Sequence, residues 1–309
     1  MRLEGLHHVT MITADAPANV TFYADVLGLR LVKTTVNFDD PRAYHLYFGD
    51  ETGAPGSILT FFEYSGAARG RPGLGMIHTV QLGVASADAL AFWERRLAAR
   101  ADAAERHGDA LRFTDPDGLA LELVVDGDGN PPLRAAHREI PEDAAITGVV
   151  GARAYTAFAA VEERLWTDVL GFTHDGDGRY RVEGAHRHFH WTAEQARANG
   201  RPGAGTVHHI AWASQDADHA AWRDRVTAAG GFATDVIDRD YFRSVYFREP
   251  RGILFEIATM SPGFAVDEDP AHLGEQLRVP AMHARLLPEL ERTLTPLVNP
   301  RAARPGAAR

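Results

Sequence analysis

Cysteine is absent from the 309 residues, and that gap removes disulfides, thiolate zinc sites and a cysteine nucleophile together. Long apolar runs are missing too. None approaches the roughly 18 residues of a spanning helix, and Met1-Arg2-Leu3-Glu4-Gly5 has neither the basic nor the apolar region of a signal peptide. Outside the tail there is no basic stripe. The formal net charge of −10 argues against nucleic acid or an anionic membrane as a partner. Gly70–Gly75 contains glycines without the spacing that cradles phosphate, and no Ser-His-Asp order stands out. What remains is a cytoplasmic protein whose chemistry runs through a metal or through acid/base side chains.

The apolar and charged fractions are those of an ordinary globular chain, and the length suggests two domains of roughly 150 residues. Fifteen histidines, by contrast, are many for so acidic a chain. Two of them open the run Leu6-His7-His8-Val9-Thr10-Met11, and two more open Val207-His208-His209-Ile210-Ala211-Trp212. Both runs read as buried strands. In each, an Asp (Asp15, Asp216) follows the second His by seven residues, where a helix begins. Two such copies about two hundred residues apart suggest a repeat whose ends meet at a shared metal.

The whole chain divides into four units of strand, helix and strands. The first has a strand over His8–Thr13, a helix over Ala16–Leu27 stopped by Gly28, and strands over Arg30–Val36, Tyr44–Phe48 and Ser57–Phe62. The second runs from Gly75 to Val84, through a helix at Ala87–Ala99, to Leu111–Thr114 and Leu119–Val125, with the turn Asp115-Pro116-Asp117-Gly118 between the last two. After an aperiodic linker over Gly127–Ala144, the third starts near Val149. It keeps a helix at Val161–Leu170 and strands at Tyr180–Val182 and His186–Trp191. The fourth carries Val207–Trp212, a helix at Ala217–Ala229, then Tyr241–Phe247 and Ile253–Thr259. The expected fold is therefore α+β: an N-terminal domain over 1–135 and a C-terminal, metal-binding domain over 145–262, each a pair of βαβββ modules forming a curved mixed sheet around a metal-containing cavity. An extension over 263–309 follows, with an amphipathic helix at Ala284–Leu294 and a disordered tail from Asn299.

Units two and four superpose by eye. Gly75-Met76-Ile77-His78 matches Gly205-Thr206-Val207-His208, and Asp117–Glu122 matches Arg251–Glu256. The informative feature is a difference: Thr79 stands where the fourth unit has His209, so Glu122 is expected either at a site that has lost its metal or as a hydrogen-bonded or solvated carboxylate.

Strand alternation puts His209, Ala211 and Ala213 on one face, and Leu254, Glu256 and Ala258 on another. If those strands are neighbours, His209 and Glu256 meet, and His8 joins them if the first unit packs on the fourth. Two imidazoles and one carboxylate leave coordination positions open, which suits Fe(II) and O₂ chemistry; Mn(II) can use the same ligands, and Zn(II) would give Lewis-acid chemistry instead. The alternating His186, His188 and His190 could also bind metal, but no other unit supplies a partner.

These residues resemble the vicinal oxygen chelate superfamily of glyoxalases, extradiol dioxygenases and drug-binding resistance proteins. Leu6–Thr10, Arg30–Thr34, Tyr44–Asp50, Val207–Ile210, Arg239–Tyr246 and Phe255-Glu256 are similar to the Fe(II)-dependent (chloro)hydroquinone 1,2-dioxygenase branch, over nearly the whole chain to about residue 280. The resemblance implies Fe(II) held by His8, His209 and Glu256, with His7, Thr10, His208, Arg239 and Tyr246 around it. It implies a small aromatic substrate and O₂, and a homo-oligomer is the expected assembly. Arg239 would lower the pKa of a ring hydroxyl, Tyr246 donate to the phenolate, His208 exchange protons, and Thr10 bond a ligand. Simple alternation points His7 and His208 away from the metal, so their role needs a bulge; Arg239 and Tyr246 need a bend between them. Catechol meta-cleavage and glyoxalase-type isomerisation remain as alternatives, as does a metal-free aromatic binder. Isomerases of this scaffold bring a fourth ligand, and here Thr60 and Phe62 hold the equivalent face while Glu63 has the wrong parity.

Overall fold

Apolar runs, some continuous and some alternating, build one strand–helix–three-strand order four times. In this computed structural model, which describes residues 1–100, 103–157, 160–185 and 187–301, the first module holds β1 (Leu3–Thr13), α1 (Ala16–Val20, continued by a wider π turn over Thr21–Val26), β2 (Arg30–Val36), β3 (Tyr44–Gly49) and β4 (Ile58–Glu63). The second holds β5 (Met76–Val84), α2 (Ala87–Ala99), β6 (Glu105–His107), β7 (Ala110–Thr114) and β8 (Ala120–Val125). The third holds β9 (Val149–Thr156), α3 (Ala160–Arg164, continued by a π turn over Leu165–Val169), β10 (Thr173–Gly176), β11 (Arg179–Glu183) and β12 (His188–Gln195). The fourth holds β13 (Val207–Ser214), α4 (His219–Ala228), β14 (Ile237–Asp238), β15 (Arg243–Arg248) and β16 (Leu254–Thr259).

Asp15 caps α1 by accepting from the Ala18 amide at 2.9 Å. Asp216 begins a short 3₁₀ turn instead; its carboxylate takes the Ser261 hydroxyl and caps nothing, so α4 starts only at His219. Gly28 ends the first helix at φ +73°, and a Cβ there would lie 2.4 Å from Ile140.

The strands form two eight-stranded mixed sheets, in the orders β14-β15-β16-β13-β1-β4-β3-β2 and β10-β11-β12-β9-β5-β8-β7-β6. The first and fourth modules thus share one sheet, joined where β1 runs antiparallel to β13. The second and third share the other, joined at β5 and β9. A division of the chain into sequential halves at about residues 135–145 remains a proposal, and each sheet draws on both halves. The sheets share a continuous apolar core, in which Trp191 of one meets Trp212 and Phe255 of the other at ring separations of 6.1 and 5.6 Å.

Three strands escape sequence reading: β6, β10 and β14. Their residues are mostly exposed and lack apolar alternation. Each sits at a sheet edge, where short polar strands guard against pairing with another chain. The fourth edge, β2, is buried along its whole length because the C-terminal extension covers it. The Arg278 amide donates to the Thr34 carbonyl at 2.8 Å and the Thr34 hydroxyl to Gly274 O at 3.0 Å. Lys33, fully buried, reaches Asp267 at 2.6 Å and Glu268 beside it. The helix expected at Ala284–Leu294 is a 3₁₀ turn over Ala281–Leu286 followed by α5 (Leu287–Thr293), since Pro288 suits a first helical turn and not an interior. The tail beyond Arg301 lies outside the described residues. Among those described, no helix is long and apolar enough to cross a membrane.

Candidate metal centre

The seam between β1 and β13 is where the site forms. Thr10 pairs with His209 and His8 with Ala211 across it, and Ala211 pairs in turn with Glu256 on β16. His8, His209 and Glu256 therefore point from three adjacent strands to one place, all buried. The His8 and His209 Nε2 atoms are 3.2 Å apart, and Glu256 Oε2 lies 3.3 and 3.0 Å from them. Three such atoms so close repel one another unless a proton or a cation sits among them. Ligand atoms about 2.1 Å from an ion stand about 3.0 Å apart at right angles and about 3.4 Å apart at tetrahedral angles, so this donor set fits a divalent metal. Glu256 Oε2 has no hydrogen-bond donor, although the carboxylate is fully buried. Burial alone would raise its pKa, but the two imidazoles outweigh that and hold Glu256 well below the carboxylate range. His209 is shifted down by burial and stays a neutral donor.

Sequence alternation alone misplaces His7 and His208. The pairing of β1 with β13 slips between Leu6 and His8, leaving out His7, and again between Thr10 and Met11, leaving out His208, so both stand at bulges. His7 Nδ1 lies 2.9 Å from His8 Nδ1, and His208 Nδ1 lies 2.8 Å from His209 Nδ1. Each of these two imidazoles thus has its rear nitrogen fixed by the histidine before it, an arrangement that sets tautomer and ring orientation. Burial and His8 push His7 down to about 3. His208 is open to the cavity yet recessed, and desolvation with His209 pushes it down to about 4. Thr10 requires a correction: its hydroxyl meets the Thr60 hydroxyl at 2.8 Å instead of any ligand, because the two residues are cross-strand neighbours on β1 and β4.

Arg239 and Tyr246 do converge. A reversal between β14 and β15, with Asp240 at φ +62°, brings Arg239 Nε to 3.3 Å from Tyr246 Oη. Burial disfavours the guanidinium charge, but Tyr246 and Asp39 outweigh it and raise its pKa. Burial, then Glu256, raises the Tyr246 phenol, which stays protonated. These groups line a cavity of about 440 Å³ with Phe38, Phe62 and Phe242 among its walls, room enough for a substituted ring. Glu63, at the end of β4, turns to the start of α1, where it accepts from the Ala16 amide at 3.1 Å. His186 lies outside the described residues; His190 pairs with Asp128 at 2.5 Å on the other sheet.

Sequence reasoning missed Ser244, although it lies within the Arg239–Tyr246 motif. Two positions before Tyr246 on β15, it shares that residue's face and donates to Glu256 Oε1 at 2.5 Å. Ser244→Ala is expected to weaken metal binding about 10- to 100-fold, read by competition with a chelating dye.

Among the described residues, the second sheet shows the same frame without the three-donor cluster. By register, Thr79 opposite Arg153 corresponds to His209 opposite Thr10, and Gln81 opposite Glu122 to Ala211 opposite Glu256. Gly151, two residues before Arg153, then takes the place of His8. A Cβ there would lie 2.3 Å from Gln81 Oε1. Gln81 and Arg112 each donate to Glu122 at 2.7 Å, and Arg153 at 3.1 Å. Amide and guanidinium N–H groups thus satisfy this carboxylate.

Residues 5–123 and 163–257 match the model of the glyoxalase/bleomycin resistance protein/dioxygenase superfamily. The chain is 41% identical over 301 residues to MhqO of Bacillus subtilis (strain 168), provisionally named a ring-cleaving dioxygenase, covering 94% of this chain and 96% of that one. It is 34% identical over 323 residues to the chlorohydroquinone/hydroquinone 1,2-dioxygenase of Sphingobium indicum, covering 95% and 96%. A crystal structure from Bacillus subtilis, provisionally described as a dioxygenase, superposes with a TM-score of 0.89 at 38% identity, covering 96% of this chain and 98% of that one.

Proposed function

Because this chain belongs to the glyoxalase/bleomycin resistance protein/dioxygenase superfamily, we propose that it is a non-haem Fe(II) dioxygenase that cleaves a hydroquinone-type ring. One observation carries the reading: two imidazoles that line an aromatic-walled cavity meet one buried carboxylate, with a fixed cation on the same cavity wall. His8, His209 and Glu256 would hold the iron, and Mn(II) can take the same donors. When bound, the ion supplies adjacent places for a ring oxygen and O₂ and a path for electrons between them, lifting the spin restriction on their direct reaction.

The chain's own residues do the rest. Arg239 stabilises the ionised ring oxygen, and Tyr246 donates a hydrogen bond to it. His208, unprotonated at neutral pH, accepts the ring hydroxyl proton and later returns it to the opened product. Phe38, Phe62 and Phe242 exclude water from the ring faces. Both oxygen atoms enter the product as one ring C–C bond breaks, so no external reductant is consumed.

Anaerobic loading with Fe(II) or Mn(II), followed by oxygen uptake with hydroquinone and catechol in parallel, tests this. We expect a single ion per chain, and one O₂ consumed per hydroquinone with iron. Cleavage of catechol alone would replace the substrate assignment. Protein that retains no metal under anaerobic purification and consumes no oxygen would instead be an aromatic-compound binder.

A further inference from the structure

The cavity wall formed by β3 carries a hydrogen-bonded chain that the proposed chemistry leaves unused. Tyr47 Oη lies 2.9 Å from His45 Nδ1, His45 Nε2 lies 2.9 Å from Thr60 Oγ1, and Thr60 Oγ1 lies 2.8 Å from Thr10 Oγ1. Three hydroxyls and one neutral imidazole hold four protons between them, and three links use three. One proton is left over. Thr60 could carry it by accepting from both neighbours, but Thr60 is fully buried and does not line the cavity. Its O–H would then lack an acceptor, so the spare proton belongs at one of the two ends.

The two ends differ. Thr10 is sealed within the sheet, does not line the cavity, and has Thr60 as its hydroxyl partner. Tyr47 lines the cavity, and so does His45. A proton at the Thr10 end would be a buried donor without an acceptor, which is unfavourable. The chain therefore runs from Thr10 to Thr60 to His45 Nε2, and from His45 Nδ1–H to the Tyr47 oxygen. The Tyr47 O–H is left without an acceptor on a residue that lines the cavity.

β3 is two strands from β1 in the sheet order, about 10 Å along it. A ring anchored by one oxygen at His8, His209 and Glu256 would extend toward that wall. We infer that Tyr47 donates a hydrogen bond to a second hydroxyl carried across the ring from the anchored one, and that His45 is the residue positioning Tyr47 for it. The inference rests on the proposed ring-cleaving function and deepens it: Tyr47 selects para-dihydroxylated rings over rings with a single hydroxyl.

Calorimetric titration of the Fe(II)-loaded protein under argon, with hydroquinone and with phenol, provides the test. Tyr47→Phe is expected to weaken hydroquinone binding about tenfold and to leave phenol binding within about twofold, which also shows the site intact. His45→Leu should lose part of the same preference. His45→Gln should restore some of it, since an amide can accept from Thr60 and donate to Tyr47. An unchanged hydroquinone-to-phenol ratio in Tyr47→Phe overturns the inference, as does an equal loss for both rings. Wild-type protein that keeps the preference but consumes no oxygen with hydroquinone would overturn the ring-cleaving function and leave the contact standing.

Discussion

Substituting His8 by alanine is expected to give a folded protein that no longer holds iron stoichiometrically and no longer cleaves a ring. The three donor atoms lie 3.0 to 3.3 Å apart, so removing one opens a third of the cage, and the remaining pair cannot fix an ion against water and buffer. A metal's electrostatic contribution to such a reaction is several kcal/mol, about 10⁴-fold or more in rate. Folding should survive, because the lost imidazole packs only one side of His7 and Phe242, at ring separations of 5.0 and 5.2 Å. The β1–β13 backbone pairing does not depend on it. Metal analysis after anaerobic loading, oxygen uptake and a thermal melt make the check together. Unaltered iron content and turnover would remove His8 from the site and, with it, the reading of the seam as a metal centre.

How much of this the sequence disclosed depended on how local each signal was. The paired histidines and the repeat of units two and four were visible because strand alternation and the Gly-x-x-His openings are short-range patterns. The difference between the two sites was visible through Thr79, which stands in register where the other sheet has His209. The other half of that difference, Gly151 in the place of His8, was not, because that equivalence exists only once β9 is in register with β5. Ser244 and Tyr47 lay inside motifs whose overall pattern was recognisable, yet a serine or tyrosine on a strand acquires meaning only from its cross-strand neighbours. Thr10 failed for the same reason: sharing a face with His8 did not disclose that Thr60 would take its hydroxyl. The polar edge strands β6, β10 and β14 lack apolar alternation, so nothing local announced them. The sheet pairing of the first module with the fourth was foreseen only as a condition for His8 to reach His209. Chain order by itself does not decide which modules share a sheet.

Arg239 supplies the other large effect, and it separates substrate activation from metal binding. Its guanidinium is fixed by Tyr246 and Asp39 at 3.3 Å each and stacks over Phe38 with 5.3 Å to the ring centre. Methionine keeps much of that apolar length and removes the charge. Arg239→Met is expected to lower kcat/KM by about 10²- to 10³-fold, the usual consequence of losing a preorganised cation or donor beside a developing anion. Iron content should not change, since Arg239 touches none of the three proposed ligands. The pH profile carries the mechanistic information. A nearby cation favours the ionised ring hydroxyl and lowers its pKa; without it the pKa rises, so the acidic limb of kcat/KM should move to higher pH, by about one unit. Arg239→Lys retains a charge but loses the planar fork, and should recover the position of the limb more fully than the maximal rate. If the methionine variant turns over within about twofold of wild type with its acidic limb unmoved, Arg239 only shapes the cavity wall and the ring hydroxyl is ionised by other groups.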